Sequence, residues 1–380
     1  MTVLDLPGRD QRSLYVFDGL GAGNPSLAHL RELHRRPENA RFFGALLEAI
    51  ESAVDHAGDD AYRAGLHDGL PLRSWLTGTG RVSRRMLEHS VVTAVCTHFH
   101  QLCMLLPRSG RSAGASGGPV AAIGHSLGLY AAVIAAVREQ SPRRYLELCR
   151  RSIAFVVLVT VRAHQIARPD DVDPAVMDRY RRAGASMPEP GPMAAVTGMA
   201  APALRDVVER HNERLGVAAV EIGLLNSPMF HVLSGRTESL VEFWLEHRRW
   251  IDEMAGRWEF LGNTAPFHSS VLRPAIRLIE GDRRFIDYDI DAGRLTVPVY
   301  GTESARNLQG SADLFRDVAE QPLTRPLDWN AAVRGAFTSR RPDVVVDFGP
   351  GASAGLFTRL CLRESGHRTP FTTVIRKPER

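Results

Sequence analysis

Val120–Ala136 reads VAAIGHSLGLYAAVIAA: an apolar run enters Gly124-His125-Ser126-Leu127-Gly128 and leaves as an alanine-rich segment. The first part predicts a short buried strand and the last a helix. Strand, G-x-S-x-G and helix in that order form a nucleophile elbow, in which the glycines permit a turn tight enough to lift a serine hydroxyl above a sheet. The following helix brings the partial positive charge of its N-terminus to the place where an oxyanion would develop. Ser126 is therefore a candidate nucleophile. The expected fold class is α/β, with a hydrolase-like large domain built on a parallel sheet.

A serine hydroxyl is a poor nucleophile at neutral pH and needs a base within hydrogen-bond reach. The best candidate is His268, in Ala265-Pro-Phe-His-Ser269. In lipase-like hydrolases an acid lies between serine and histidine in chain order. No acid here announces itself as a third member.

Upstream, Leu14–Phe17 reads as a buried strand running into the Gly-rich turn Asp18-Gly-Leu-Gly-Ala-Gly23, whose NH groups can face an anion. Pro25–Leu106 is predicted mostly helical, with apolar residues three and four apart in Phe42–Val54 and Met86–Leu105. His98 and His100 lie two apart, so on a helix they face different ways and make a poor metal site. Arg108–Pro119 reads as a loop, and the Pro- and charge-rich Arg168–Pro192 as a boundary. Beyond it the pattern alternates: strand Met193–Val196, helix Pro202–Leu215, strands Val217–Leu225 and Phe230–Leu233, helix Leu240–Trp250 and a strand near Phe260. That order predicts a split β-α-β unit, a small ferredoxin-like α+β subdomain over 192–262, inserted into a large domain of 1–191 and 263–380. Val297–Tyr300 and Asp343–Phe348 are expected as further buried strands of the large domain.

With 380 residues, 44% hydrophobic and 24% charged, the chain has ordinary globular composition. The net charge of +4 is carried by arginine, Lys377 being the single lysine. These arginines are scattered in pairs such as Arg84–Arg85 and Arg248–Arg249, which argues against a nucleic-acid stripe. The opening residues lack a secretory pattern, and the longest apolar run, Ile153–Val161, falls far short of the ~20 residues of a membrane span. A soluble, cytoplasmic protein is the expectation. The 4 cysteines show no C-x-x-C pairing, so buried thiols without a structural metal are expected; no bound cofactor is expected either.

Read together, these motifs resemble the acyltransferase family of fatty-acid and polyketide synthases. They are most similar to the starter-unit acyltransferase domains of fungal-type fatty acid synthases and polyketide synthases. The resemblance rests on segments in family order: Gly69-Leu-Pro-Leu-Arg-Ser-Trp-Leu76, Gly124–Gly128, Gly191-Pro-Met193, Asn226-Ser-Pro, Val232-Leu-Ser-Gly235, Pro266-Phe-His-Ser269, Val297–Tyr300, Pro326-Leu-Asp-Trp329 and Asp347-Phe-Gly-Pro-Gly351. It implies a Ser126–His268 dyad, with the histidine oriented by a backbone carbonyl. It also implies an oxyanion hole from the backbone NH groups of Leu127 and Leu20, where Phe17-Asp-Gly-Leu-Gly21 departs from the usual F-G-G-Q-G. Asn226 and His125 would line the pocket; alternatively Asn226 caps a turn and His125 only packs beside the serine.

The resemblance further implies acyl-CoA as donor and an acyl carrier protein as partner, both suited to a mildly basic surface. An editing hydrolase using the same dyad is the alternative, and a non-catalytic scaffold a more distant one. In extender-selective relatives an arginine pairs with the malonyl carboxylate. Aligning Arg150–Ala163 puts Val159 at that position, which implies an uncharged acyl group; under another register Arg151 or Arg162 would fill it. The β-branched run Ile153–Val161 favours a strand, whereas the family has a helix here.

Overall fold

The computed structural model describes residues 11–20, 26–106, 118–167, 172–184, 189–288 and 290–374. Most of the expected loop Arg108–Pro119, part of the Gly-rich turn beyond Leu20 and parts of the Arg168–Pro192 boundary lie outside the described residues.

Two sheets organise the chain. The first has the order β2-β1-β8-β9, all parallel: β1 (Ser13–Phe17), β2 (Pro119–Gly124), β8 (Val344–Asp347) and β9 (Phe371–Thr373). Both central strands are buried along nearly their whole length, as a sheet covered on both faces requires. The register sets Phe17 opposite Gly124 and Val16 opposite Asp347, so three strand ends meet beside the elbow. Val297–Tyr300 does not become a full strand. Only Val299 bridges to Ala122, and Tyr300 turns to Asn307.

The second sheet, of order β6-β3-β5-β4-β7, comprises β3 (Met193–Thr197), β4 (Val220–Ser227), β5 (Phe230–Gly235), β6 (Arg257–Phe260) and β7 (Leu327–Asp328). Its first four strands are antiparallel and, with the helices Ala201–Leu215 and Thr237–Glu253 between them, give the ferredoxin-like order. The two-residue β7, absent from the sequence expectation, pairs parallel with β4 and stitches this sheet to the chain that follows the His268 loop.

Arg168–Pro192 is not only a boundary, because Pro174–Ala183 is helical, capped by the Asp173 carboxylate accepting from Ala175 N. Its Val176 and Tyr180 join the core under the second sheet, which thus draws on residues upstream of 192. The run Ile153–Val161 is helical, inside the 25-residue helix Pro142–Ile166. Ser141 caps that helix and Pro142 opens it, and Ser152–His164 is buried without a break. Burial on all sides removes the periodicity by which a helix is read, and packing outweighs the weak β preference of valine.

Candidate active site

The elbow is built by exclusion. A Cβ on Gly124 would lie 2.1 Å from the carbonyl carbon of Gly128, and one on Gly128 would lie 2.4 Å from the Phe17 oxygen. Only glycine lets the end of β2 fold back on the helix Gly128–Val137 and press that helix against β1. Between them Ser126 holds a left-handed backbone, φ +52°, a conformation of the kind stored at functional turns. Gly128 N donates to His125 O at 2.9 Å and Leu129 N to Ser126 O at 3.0 Å, so the helix starts directly at the serine.

His268 Nε2 lies 2.8 Å from Ser126 Oγ, and His268 Nδ1 lies 2.9 Å from the backbone oxygen of Arg325. A carbonyl can only accept, so Nδ1 carries the proton and the Nε2 lone pair faces the serine hydroxyl. His268 too has a left-handed backbone, φ +57°, held by its own NH donating to Pro322 O and that of Ser269 to Leu323 O. Burial pushes its pKa down to about 4, against the opposing hydrogen bond it donates to Arg325 O, so the ring is neutral near pH 7. The approach loop is anchored at Thr264, which exchanges hydrogen bonds with Ser90 and meets His164 Nε2 at 2.7 Å.

On the other side of the serine, a Cβ on Gly19 would meet His125 O at 2.4 Å and Ser126 Cβ at 3.0 Å, so the strand end leading to Leu20 lies against Ser126. That end is pinned. Gln101 Nε2 donates to both Asp18 O and Gly349 O at 2.8 Å, and Asp18 Oδ1 accepts from Ala354 N at 3.0 Å. Burial, reinforced by Asp347, lifts the Asp18 pKa to about 7. Gln101, Asp18 and Arg325 were not singled out in the sequence. Asp18 has a signal in the sequence, a carboxylate at the end of an apolar strand.

His125 Nε2 donates to Asn226 Oδ1 at 2.7 Å, with the ring edge-on to Trp329 and tilted against Phe357. Burial lowers its pKa to about 4. Asn226 thus ties the second sheet to the elbow instead of capping a turn. Val159 is fully buried.

Arg162 is not turned towards a substrate. Its guanidinium holds Asp282 by two bonds of 2.7 and 2.9 Å and Asp60 by one of 2.6 Å. The second candidate, Arg151, pairs with Glu147 at 3.1 Å and Asp287 at 2.9 Å on a partly exposed face. The side chains of Arg162 and Asp282 are 10% and 6% exposed, so loss of Arg162 leaves the buried Asp282 carboxylate with the less buried His56 Nε2, at 3.0 Å, as its partner. Arg162→Ala is expected to cost about 3–5 kcal/mol, and Arg162→Met with Asp282→Leu to recover most of it. Urea midpoints at unchanged slope measure both.

Comparison with known proteins agrees with this architecture. Residues 21–251, more than half the chain, match the family described as starter unit:ACP transacylase in aflatoxin biosynthesis. The fatty acid synthase subunit beta of Gibberella zeae is 26% identical over 358 residues, covering 90% of this chain and 17% of that subunit. Its Saccharomyces cerevisiae counterpart is 26% identical over 251 residues, 62% of this chain and 12% of that one. The chain thus spans less than a fifth of these relatives' length. Among solved structures, malonyl-CoA:acyl carrier protein transacylase from Xanthomonas oryzae pv. oryzae superposes with a TM-score of 0.66 at 21% identity, covering 96% of this chain and 95% of that one. The acyltransferase domain from the second module of the salinomycin polyketide synthase gives 0.60 at 17% identity, covering 97% and 70%. With an α/β acyltransferase fold around a serine elbow and a family match across most of its first two-thirds, the chain belongs to the starter unit:ACP transacylase family.

Proposed function

We propose that this chain moves an acyl group from acyl-CoA, through an ester on Ser126, to the phosphopantetheine thiol of an acyl carrier protein. The 2.8 Å contact of His268 Nε2 with Ser126 Oγ, in a ring whose proton is held at Nδ1 by Arg325 O, carries the reading. Nε2 takes the hydroxyl proton as Oγ attacks the thioester carbon, then passes it to the departing CoA sulfur. In the second half the carrier thiol gives its proton to Nε2 and attacks the ester, and the proton returns to Oγ. The NH groups of Leu127 and Leu20 supply the oxyanion hole in both halves. This chemistry asks for no metal or prosthetic group. Starter loading in cytoplasmic fatty-acid or polyketide assembly is the inferred setting.

The acyl group is inferred to be uncharged. Val159 offers nothing to a carboxylate, and the neighbouring Arg162 is already neutralised by Asp282 and Asp60. A substrate carboxylate buried without a partner would cost several kcal/mol. In competition for the enzyme, acetyl- or longer acyl-CoA is expected to be transferred at least about 10-fold faster than malonyl-CoA, from a discrimination of about 1.4 kcal/mol or more. Preference for malonyl-CoA would overturn this assignment.

A further inference from the structure

On the helices Ala201–Leu215 and Thr237–Glu253, His211, Glu246 and His247 bring one ligand atom each within 4.8 Å of one another. His211 Nδ1 is 3.3 Å from His247 Nε2 and 3.2 Å from Glu246 Oε2, and His247 Nε2 is 3.7 Å from Glu246 Oε1. Zinc binds such atoms at about 2.0–2.2 Å, and tetrahedral ligands stand about 1.6 bond lengths apart, or about 3.3–3.5 Å. The three separations bracket that value. The imidazoles reach different oxygens of Glu246, and rotation of that carboxylate would set one oxygen to both nitrogens, completing three corners of a tetrahedron with the fourth open.

The two rings are held by Phe243, which is fully buried and packs edge-on to His211 at 5.0 Å and tilted against His247 at 4.6 Å. The His211 side chain is 1% exposed, that of His247 17% and that of Glu246 40%, so the point of convergence is reached from solvent. Arg214 competes for the place: its guanidinium bonds Glu246 and approaches His211 Nδ1 to 3.3 Å. That side chain is 53% exposed and can swing outward, exchanging one cation for another.

The geometry points to a divalent transition-metal site, of the zinc type, clamping the two helices of the smaller unit through His211, Glu246 and His247. Imidazole nitrogens with one carboxylate favour zinc over magnesium or calcium. The site is independent of the acyl-transfer chemistry and of the proposed function.

The test uses the full chain, free of any affinity tag, loaded with zinc alone, gel-filtered and assayed for metal by elemental mass spectrometry. About one equivalent should be retained by the parent and by Ser126→Ala, with tighter retention by Arg214→Ala. His247→Gln, a partly exposed change checked for folding by circular dichroism, should lose it. Cobalt should give tetrahedral visible bands in the parent and not in His247→Gln. Equal zinc in parent and His247→Gln, or no such cobalt bands in the parent, would overturn the assignment.

Discussion

Ser126→Ala is expected to reduce acyl transfer by about 10⁴- to 10⁶-fold, because it removes the atom proposed to carry the acyl group. His268→Ala should cost about 10²- to 10⁴-fold, the usual worth of a positioned base. The double variant should be little worse than Ser126→Ala, since the two act as one unit through their 2.8 Å contact. Stability separates this loss from misfolding. Alanine at position 126 keeps the left-handed backbone and gives up a single hydrogen bond, about 1 kcal/mol. Initial-rate transfer to a carrier protein at matched folded fraction measures the effect.

Acid should unfold the protein early. Burial lowers His98, His100 and His164 to about 3 and His125 and His268 to about 4, whereas unfolded imidazoles titrate near 6.5. The unfolded chain therefore binds more protons between about pH 4 and 6.5, so this stability is complete above that window and lost as pH falls through it. Each group removes about 1.4 kcal/mol per pH unit. Asp18, raised to about 7 by burial from 3.8, acts oppositely, because its folded form takes up a proton the unfolded one leaves off. Five such histidines less one aspartate leave a net loss of about 5 kcal/mol per unit, against a total stability of about 5–15 kcal/mol. A cooperative transition near about pH 5 is expected by circular dichroism. Full native signal at pH 4 would contradict it. Activity lost on the acid side then reports unfolding rather than titration of the proposed base, His268.

What was legible in the sequence was local. The elbow was readable because its glycines are imposed by contacts within a few residues, Gly124 against Gly128, and the ferredoxin-like order because each strand and helix carries its own period. The nature of the group orienting His268 came from resemblance, but which carbonyl supplies it, Arg325 O, is a matter of tertiary approach across 57 residues. Arg162 looked available because a sequence does not display Asp60 and Asp282, which reach it from other helices. The run Ile153–Val161 misled for the opposite reason, since complete burial erases periodicity. Likewise nothing in the spacing of His211 and His247, 36 residues apart, announces that their rings meet.

The most direct test of the account is intact-mass spectrometry of the purified chain and of Ser126→Ala after incubation with acetyl-, butyryl-, longer acyl- and malonyl-CoA. The account predicts one acyl adduct on the parent, none on the variant, and the strongest labelling by an uncharged acyl group. An adduct of equal yield on Ser126→Ala, or no adduct from any acyl-CoA, would contradict it.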